Sequence, residues 1–83
     1  MESYEQTLEQ IYKIIQPWIQ NSIELSEQTD LIDDLGFDSL KMMELIPEIE
    51  DQWDIAISLN NLPDIRKIKD LTLQIQQLTG GNE

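Results

Sequence analysis

Apolar side chains recur every three or four residues through the first quarter of the chain, at Tyr4, Leu8, Ile11, Ile15 and Trp18. This spacing is typical of one face of an amphipathic helix and predicts a helix over residues 4–19. Ser3 followed by Gln6 matches a capping box at its start. Pro17 predicts a kink or an early end, because a proline inside a helix clashes with the carbonyl four residues before it.

A long connection covers residues 20–38, and it contains too many apolar side chains for a free linker. Loops of this length in compact domains are usually packed down or functional. We therefore expect Leu31 and Leu35 to be held against the core through a short helical turn.

Asp38 opens a second predicted helix that runs to about Gln52. An aspartate is a good N-cap, and its charge suits the positive end of a helix. Pro47 lies in the middle of this helix and is expected to destabilise it locally. The face predicted to point inward consists of Leu45, Ile49 and Trp53.

The residue pattern after the second helix predicts two further helices. The alternating segment 55–57 is too short to form a sheet. Residues 62–65 predict a short helix with Pro63 in its first turn. A last helix is indicated by Ile68, Leu71, Ile75 and Leu78, and Gly80 and Gly81 are expected to end it.

The predicted fold class is therefore all-α, a small four-helix bundle. It has three main helices, a short third helix and a long loop between the first two. We expect a single domain over residues 1–83, with an ordered core over about 4–78 and a flexible tail over 79–83.

The net charge of the chain limits the classes of function that we expect. Its 83 residues include 17 acidic and 5 basic side chains, which gives a net charge of −12. Such a chain repels phosphates, so we expect no binding to nucleic acid or to an anionic membrane surface. No apolar run approaches the roughly 20 residues of a spanning helix, and the N-terminus does not resemble a secretion signal. These features predict a cytoplasmic protein, and the high charge favours a monomer.

The chain contains no Cys and no His. Disulfides, thiolate metal sites, a cysteine nucleophile and a Ser–His–Asp triad are therefore excluded. A calcium loop with Gly36 at its sixth position would need ligands at Leu31, Leu35 and Met42, so no dedicated metal site is predicted. We expect no catalysis by the chain itself; any chemistry comes from partners or from a cofactor.

The most informative segment is the junction between the long loop and the second helix, residues 34–40. Gly36 permits a tight turn, and Asp38 then places Ser39 in the first helical turn. Free backbone N–H groups there favour an anion such as a phosphodiester, although the neighbouring acidic side chains oppose one.

This junction resembles the attachment motif of acyl carrier proteins, with Asp38-Ser39-Leu40 preceded by Leu35-Gly36-Phe37. The resemblance covers residues 4–78 and includes the aromatic-Asp-Ile-x-Ile segment at residues 53–57. It implies that Ser39 receives 4′-phosphopantetheine from coenzyme A through a phosphopantetheinyl transferase. The thiol of the arm then carries acyl or aminoacyl groups as thioesters, and the protein is a carrier rather than an enzyme.

The resemblance also implies that partner enzymes dock on the acidic second helix. Acyl-loading enzymes, ketosynthases and acyltransferases are the expected partners. The residues predicted to contact them are Asp38, Leu40, Met43, Glu44 and Glu48. Asp33 and Asp34 are interpreted as solvated surface. Pro47 replaces the exposed apolar contact residue that is usual in the family.

Gly36-Phe37-Asp38-Ser39-Leu40 is closest to the motif of polyketide-type carriers, and Lys41, Met42 and Pro47 make the second helix less acidic than in typical fatty-acid carriers. We therefore expect a carrier in polyketide or hybrid polyketide–nonribosomal peptide biosynthesis. Fatty-acid synthesis is the alternative within the family. A non-covalent acidic helical interaction module is the alternative from another class.

Overall fold

The computed structural model describes residues 3–19 and 24–79. These residues form three α-helices: α1 (Tyr4–Ile15), α2 (Ser39–Trp53) and α3 (Ile68–Thr79). Two short 3₁₀ helices, Gln16–Trp18 and Leu59–Asp64, lie after α1 and before α3. Within the described ranges there is no strand, only an isolated bridge between Asp30 and Lys67. The predicted all-helical fold is confirmed.

Helix α1 begins as predicted. The Gln6 N–H donates to Ser3 Oγ over 3.2 Å, and the Ser3 N–H donates to Gln6 Oε1 over 3.0 Å, which completes the capping box. The helix ends at Ile15, because Pro17 turns the next residues into a 3₁₀ turn. Its buried face contains Thr7, Leu8, Ile11 and Ile15.

Helix α2 packs a broader face inward than the spacing predicted. Its buried residues are Met42, Leu45, Ile46 and Ile49. Trp53 at its end is only half-buried, and so is Trp18, so both tryptophans lie at the edge of the core. Pro47 is exposed within the helix.

The short helix before α3 begins earlier than predicted. It is a 3₁₀ helix that starts at Leu59, where Ser58 Oγ accepts the Asn60 N–H over 3.2 Å. Pro63 therefore lies near its end, and the prediction of Pro63 in its first turn is wrong. In α3, Leu78 is 41% exposed although it belongs to the apolar series. Residues 80–83, where the helix stop and most of the flexible tail were predicted, lie outside the described residues.

The long loop is pinned to the start of α3. The Leu31 N–H donates to the Arg66 carbonyl over 2.7 Å, and the Ile68 N–H donates to the Thr29 carbonyl over 3.0 Å. The side chain of Leu31 is fully buried, as predicted, whereas Leu35 is half-buried. We call this pairing of residues 27–31 with residues 66–69 the loop clamp.

A second connection holds the loop to α1. The Tyr4 hydroxyl donates to Glu27 Oε1 over 2.6 Å. Burial raises the pKa of Tyr4 well above its ordinary value, and the hydrogen bond to Glu27 raises it further. The loop is thus tied to both the first and the last helix. None of the described helices is long and apolar enough to cross a membrane.

Candidate functional site

The junction between the loop and α2 is fixed by a buried residue on each side of a turn. Gly36 has a φ of 74°, in the left-handed region. Next to it, the Phe37 N–H donates to the Leu31 carbonyl over 3.0 Å, and the Phe37 side chain is buried in the core. Since Leu31 and Phe37 are both anchored, the direction in which the chain enters α2 is set.

Asp38 then caps the helix. Its Oδ1 accepts the Lys41 N–H over 2.8 Å, and its carbonyl accepts the Met42 N–H over 2.9 Å. Ser39 is the first residue of α2 and its side chain is exposed. The structure thus presents a serine hydroxyl at the positive end of a 15-residue helix.

These residues fit a phosphopantetheine group attached at Ser39. The hydroxyl is accessible, and free N–H groups at a helix N-terminus favour a phosphodiester. A Cβ built on Gly36 meets no atom within 4 Å, so the space beside the turn is open. The neighbouring Asp38 carboxylate repels a phosphate, but its Oδ1 is engaged in the cap.

Next to Ser39, α2 presents apolar and acidic side chains to solvent. Leu40 is 66% exposed and Met43 is 52% exposed. Glu44 and Glu48 are exposed on the same helix, one and two turns beyond Leu40. The residues predicted to contact partners are thus all exposed on or beside α2. We call Asp38, Leu40, Met43, Glu44 and Glu48 the α2 docking face.

The acidic residues Asp33 and Asp34 of the loop are exposed, as predicted, and they also make contacts within the fold. Asp34 Oδ2 accepts the Asp30 N–H over 2.8 Å, and the Arg66 Nη2 lies 3.3 Å from Asp33 Oδ2. These contacts fix the turn that precedes the junction.

Asp30 is the centre of that turn. Its Oδ1 accepts the N–H groups of Asp33 over 2.7 Å and of Ile32 over 2.9 Å. The Arg66 guanidinium lies 3.6 Å from Asp30 Oδ2. The hydrogen bond from the Asp33 N–H holds the pKa of Asp30 below its ordinary value. The Ile32 N–H and the charge of Arg66 lower this pKa further.

One feature near the site was missed by the sequence reasoning. The Lys41 Nζ lies 5.6 Å from the centre of the Trp18 ring. The available signal was the scarcity of basic residues, since a single lysine among acids at the start of α2 is conspicuous. The spacing of residues could not show that Trp18, in the 3₁₀ helix after α1, lies beside Lys41.

Comparison with known proteins agrees with this geometry. Residues 9–75 match a family described as the phosphopantetheine attachment site. An acyl carrier protein from Syntrophus aciditrophicus is 43% identical over 54 residues, which cover 63% of this chain and 68% of that protein. A meromycolate extension acyl carrier protein from Mycobacterium tuberculosis is 32% identical over 59 residues, which cover 71% of this chain. The chain spans about half, 51%, of that relative.

A solved structure also resembles this fold. It comes from Mycobacterium tuberculosis and is assigned as an acyl carrier protein. The two structures superpose with a TM-score of 0.78 at 37% sequence identity, over 86% of this chain and 96% of the other.

Proposed function

The chain belongs to the acyl carrier protein family, and we propose that its 4′-phosphopantetheine arm is attached to Ser39. Proteins of this family are carriers rather than catalysts, and phosphopantetheine is their prosthetic group. The observation that carries the assignment is the exposed Ser39 hydroxyl at the first position of α2. Once attached, the arm supplies the thiol that this cysteine-free chain lacks.

The attachment reaction does not require a general base from this chain. The Ser39 oxygen forms a bond to the phosphorus that bears pantetheine, and the diphosphate P–O bond of coenzyme A breaks. Adenosine 3′,5′-bisphosphate leaves, and the hydroxyl proton passes to a group of the phosphopantetheinyl transferase. The chain presents the hydroxyl, and the Asp38 cap and buried Phe37 hold its position.

The partners we propose dock on the α2 docking face. They are the phosphopantetheinyl transferase and acyl-loading, ketosynthase or acyltransferase enzymes. Glu44 and Glu48 attract basic surfaces, while Leu40 and Met43 offer apolar contact beside Ser39. Charges of this kind act chiefly on association rate and on the choice of partner. We place the carrier in the cytoplasm as a monomer.

The pathway we propose is polyketide or hybrid polyketide–nonribosomal peptide biosynthesis. Support comes from Gly36-Phe37-Asp38-Ser39-Leu40 and from the less acidic α2, where Lys41 and Pro47 are exposed. The second candidate is fatty-acid synthesis, which is favoured by the similarity to meromycolate extension carriers.

Intact mass spectrometry tests the attachment. The protein is incubated with coenzyme A, magnesium and a broad-specificity phosphopantetheinyl transferase, beside a Ser39→Ala variant. We expect a gain of one phosphopantetheine in the wild type alone. A gain in both proteins would place the arm on another residue. No gain, with a transferase that modifies another carrier, would favour a non-covalent acidic interaction module.

A second measurement separates the pathways. The protein is purified from its native cells, and the arm with its cargo is released and weighed by tandem mass spectrometry. β-Keto, branched or aminoacyl groups support polyketide or hybrid biosynthesis. A ladder of acyl groups that differ by two methylenes supports fatty-acid synthesis instead.

A further inference from the structure

An open groove runs between the end of α1 and the outer side of α2. Its volume is about 560 Å³, and it is lined by Lys13, Ile14, Pro17, Trp18, Lys41 and Glu48. Its lining thus combines aromatic and aliphatic surface with two ammonium groups and one carboxylate. We call it the Lys13–Lys41 groove. The groove shares Glu48 with the α2 docking face, but its lining does not include Ser39, Leu40 or Met43.

Both lysines of the groove lack an acidic partner within the described ranges. The chain has 17 acidic side chains for 5 basic ones, yet no carboxylate oxygen there lies within 4.0 Å of either ammonium. Two other basic residues are engaged, since Arg66 pairs with two aspartates and the Lys67 Nζ donates to Gln28 Oε1 over 3.1 Å. Glu48 lines the groove seven residues beyond Lys41, about 10 Å along the helix.

Trp18 organises the groove. Its half-buried ring packs against the core on one side and lies 5.6 Å from the Lys41 Nζ. This cation–π contact keeps the ammonium beside an apolar wall that Ile14 and Pro17 extend. A ligand that fits these walls combines carboxylates with an apolar side chain.

We propose that the Lys13–Lys41 groove binds an acidic segment of a partner protein. Carboxylates of that segment pair with the two ammonium groups, and an apolar side chain of the segment lies against Trp18. Because both lysines are exposed, an isolated small anion would keep most of its hydration and gain little. A peptide segment adds contact along the walls, which makes a protein the fitting occupant.

This surface has the opposite charge preference to the α2 docking face. Glu44 favours basic partners, whereas Lys13 and Lys41 favour acidic side chains. Glu48 belongs to both surfaces and repels carboxylates at its own end of the groove, so the carboxylates of the segment must lie at the lysine end. A protein that covers both surfaces must therefore present acidic and basic side chains at matching positions. The remaining acids of the chain repel an acidic segment at long range. At 0.15 M salt the screening length is about 8 Å, so distant charges are damped while contacts inside the groove persist.

Nuclear magnetic resonance titration tests the groove directly. The full chain with Ser39→Ala is used, so that the result does not depend on the arm. The probe is a capped pentapeptide with a central phenylalanine between two pairs of glutamates, and its glutamine counterpart is the control. The indole signal of Trp18 reports on the groove, and that of Trp53 at the end of α2 is the internal reference.

We expect the glutamate peptide to shift the Trp18 signal in 0.15 M salt and to leave that of Trp53 in place. Lys13→Gln combined with Lys41→Gln should raise the Kd by about fivefold, from about 0.5 kcal/mol for each exposed ion pair. Lys69→Gln on α3 removes an exposed lysine outside the groove and should leave the Kd unchanged.

Three results would overturn the proposal. The glutamine peptide could bind as tightly as the glutamate peptide, or the double variant could keep its affinity. Sodium acetate at the same carboxylate concentration could shift the Trp18 signal equally. That result would show that any small carboxylate causes the shift and that a peptide segment is not needed.

Discussion

The side chain of Asp38 accepts a hydrogen bond of 2.8 Å from the backbone N–H of Lys41, which closes the first turn of α2 around Ser39. Asp38→Ala removes this cap and should lower the free energy of unfolding by about 1 kcal/mol. Asp38→Asn keeps an oxygen acceptor and should lose less. Urea unfolding measures both variants, and equal losses would argue against the cap as the cause.

Leu31 anchors the long loop in the core. Leu31→Ala should cost about 3 kcal/mol of stability, because it removes a fully buried side chain and leaves a cavity. Ile32→Ala is the matched control, since Ile32 is 42% exposed one residue later, and it should cost well under half as much. Thermal unfolding followed by circular dichroism compares them. Similar losses would mean that the loop is held by its backbone alone.

Gly36 occupies a conformation that side chains disfavour. With a φ of 74° and open space around its Cβ position, Gly36→Ala meets strain but no clash. We expect a loss of about 1 kcal/mol, and a smaller one for Gly36→Asn, because asparagine tolerates the left-handed region better. Denaturant midpoints of the two variants provide the comparison. An alanine variant as stable as the wild type would show that the turn relaxes.

Pro47 interrupts the hydrogen bonding of α2 from an exposed position. Pro47→Ala restores a backbone N–H for the Met43 carbonyl and should stabilise the protein by about 1–3 kcal/mol. Pro47→Gly also restores the N–H but has a lower helix propensity, so its gain should be about 1 kcal/mol smaller. Melting temperatures decide the ranking. A lower value for the alanine variant would contradict it.

Asp30 should make stability depend on acid pH. Its pKa lies below the ordinary value of 3.8, so between these values the unfolded chain binds more protons than the folded one. The stabilising contribution is therefore present above the ordinary value and is lost as the pH falls through the folded pKa.

Asp30→Asn keeps the oxygen that accepts the Ile32 and Asp33 N–H groups but cannot titrate. We expect the stability difference between wild type and this variant to shrink from pH 7 to pH 2.5, measured by urea unfolding at each pH. A constant difference would show that the Asp30 charge does not contribute.

Much of the fold was predictable because local rules determine it. The Ser3 cap, the end of α1 before Pro17 and the burial of Leu31 follow from capping, proline geometry and apolar content. The exposure of Ser39 follows from the same reasoning, since it is next to the Asp38 cap. Modification of Ser39 depends on recognition by another protein, which lies outside these local rules.

The features that escaped prediction depend on contacts between distant segments. The 3₁₀ helix that starts at Leu59 repeats about every three residues and leaves no 3.6-residue apolar pattern to detect. The contact of Asp33 with Arg66 was not predicted, because the two residues are 33 positions apart. The approach of Lys41 to Trp18 likewise depends on how α1 and α2 pack.

The loop clamp has a consequence for the order of events during synthesis. The Leu31 N–H and Thr29 carbonyl find their partners only in Arg66 and Ile68. A nascent chain that has left the ribosome only as far as α2 therefore exposes Ser39 on an entry turn that has its local hydrogen bonds but not yet the loop clamp. We expect the arm to be added after translation has passed residue 69. A chain that carries the arm would then be one in which α3 has already begun to form.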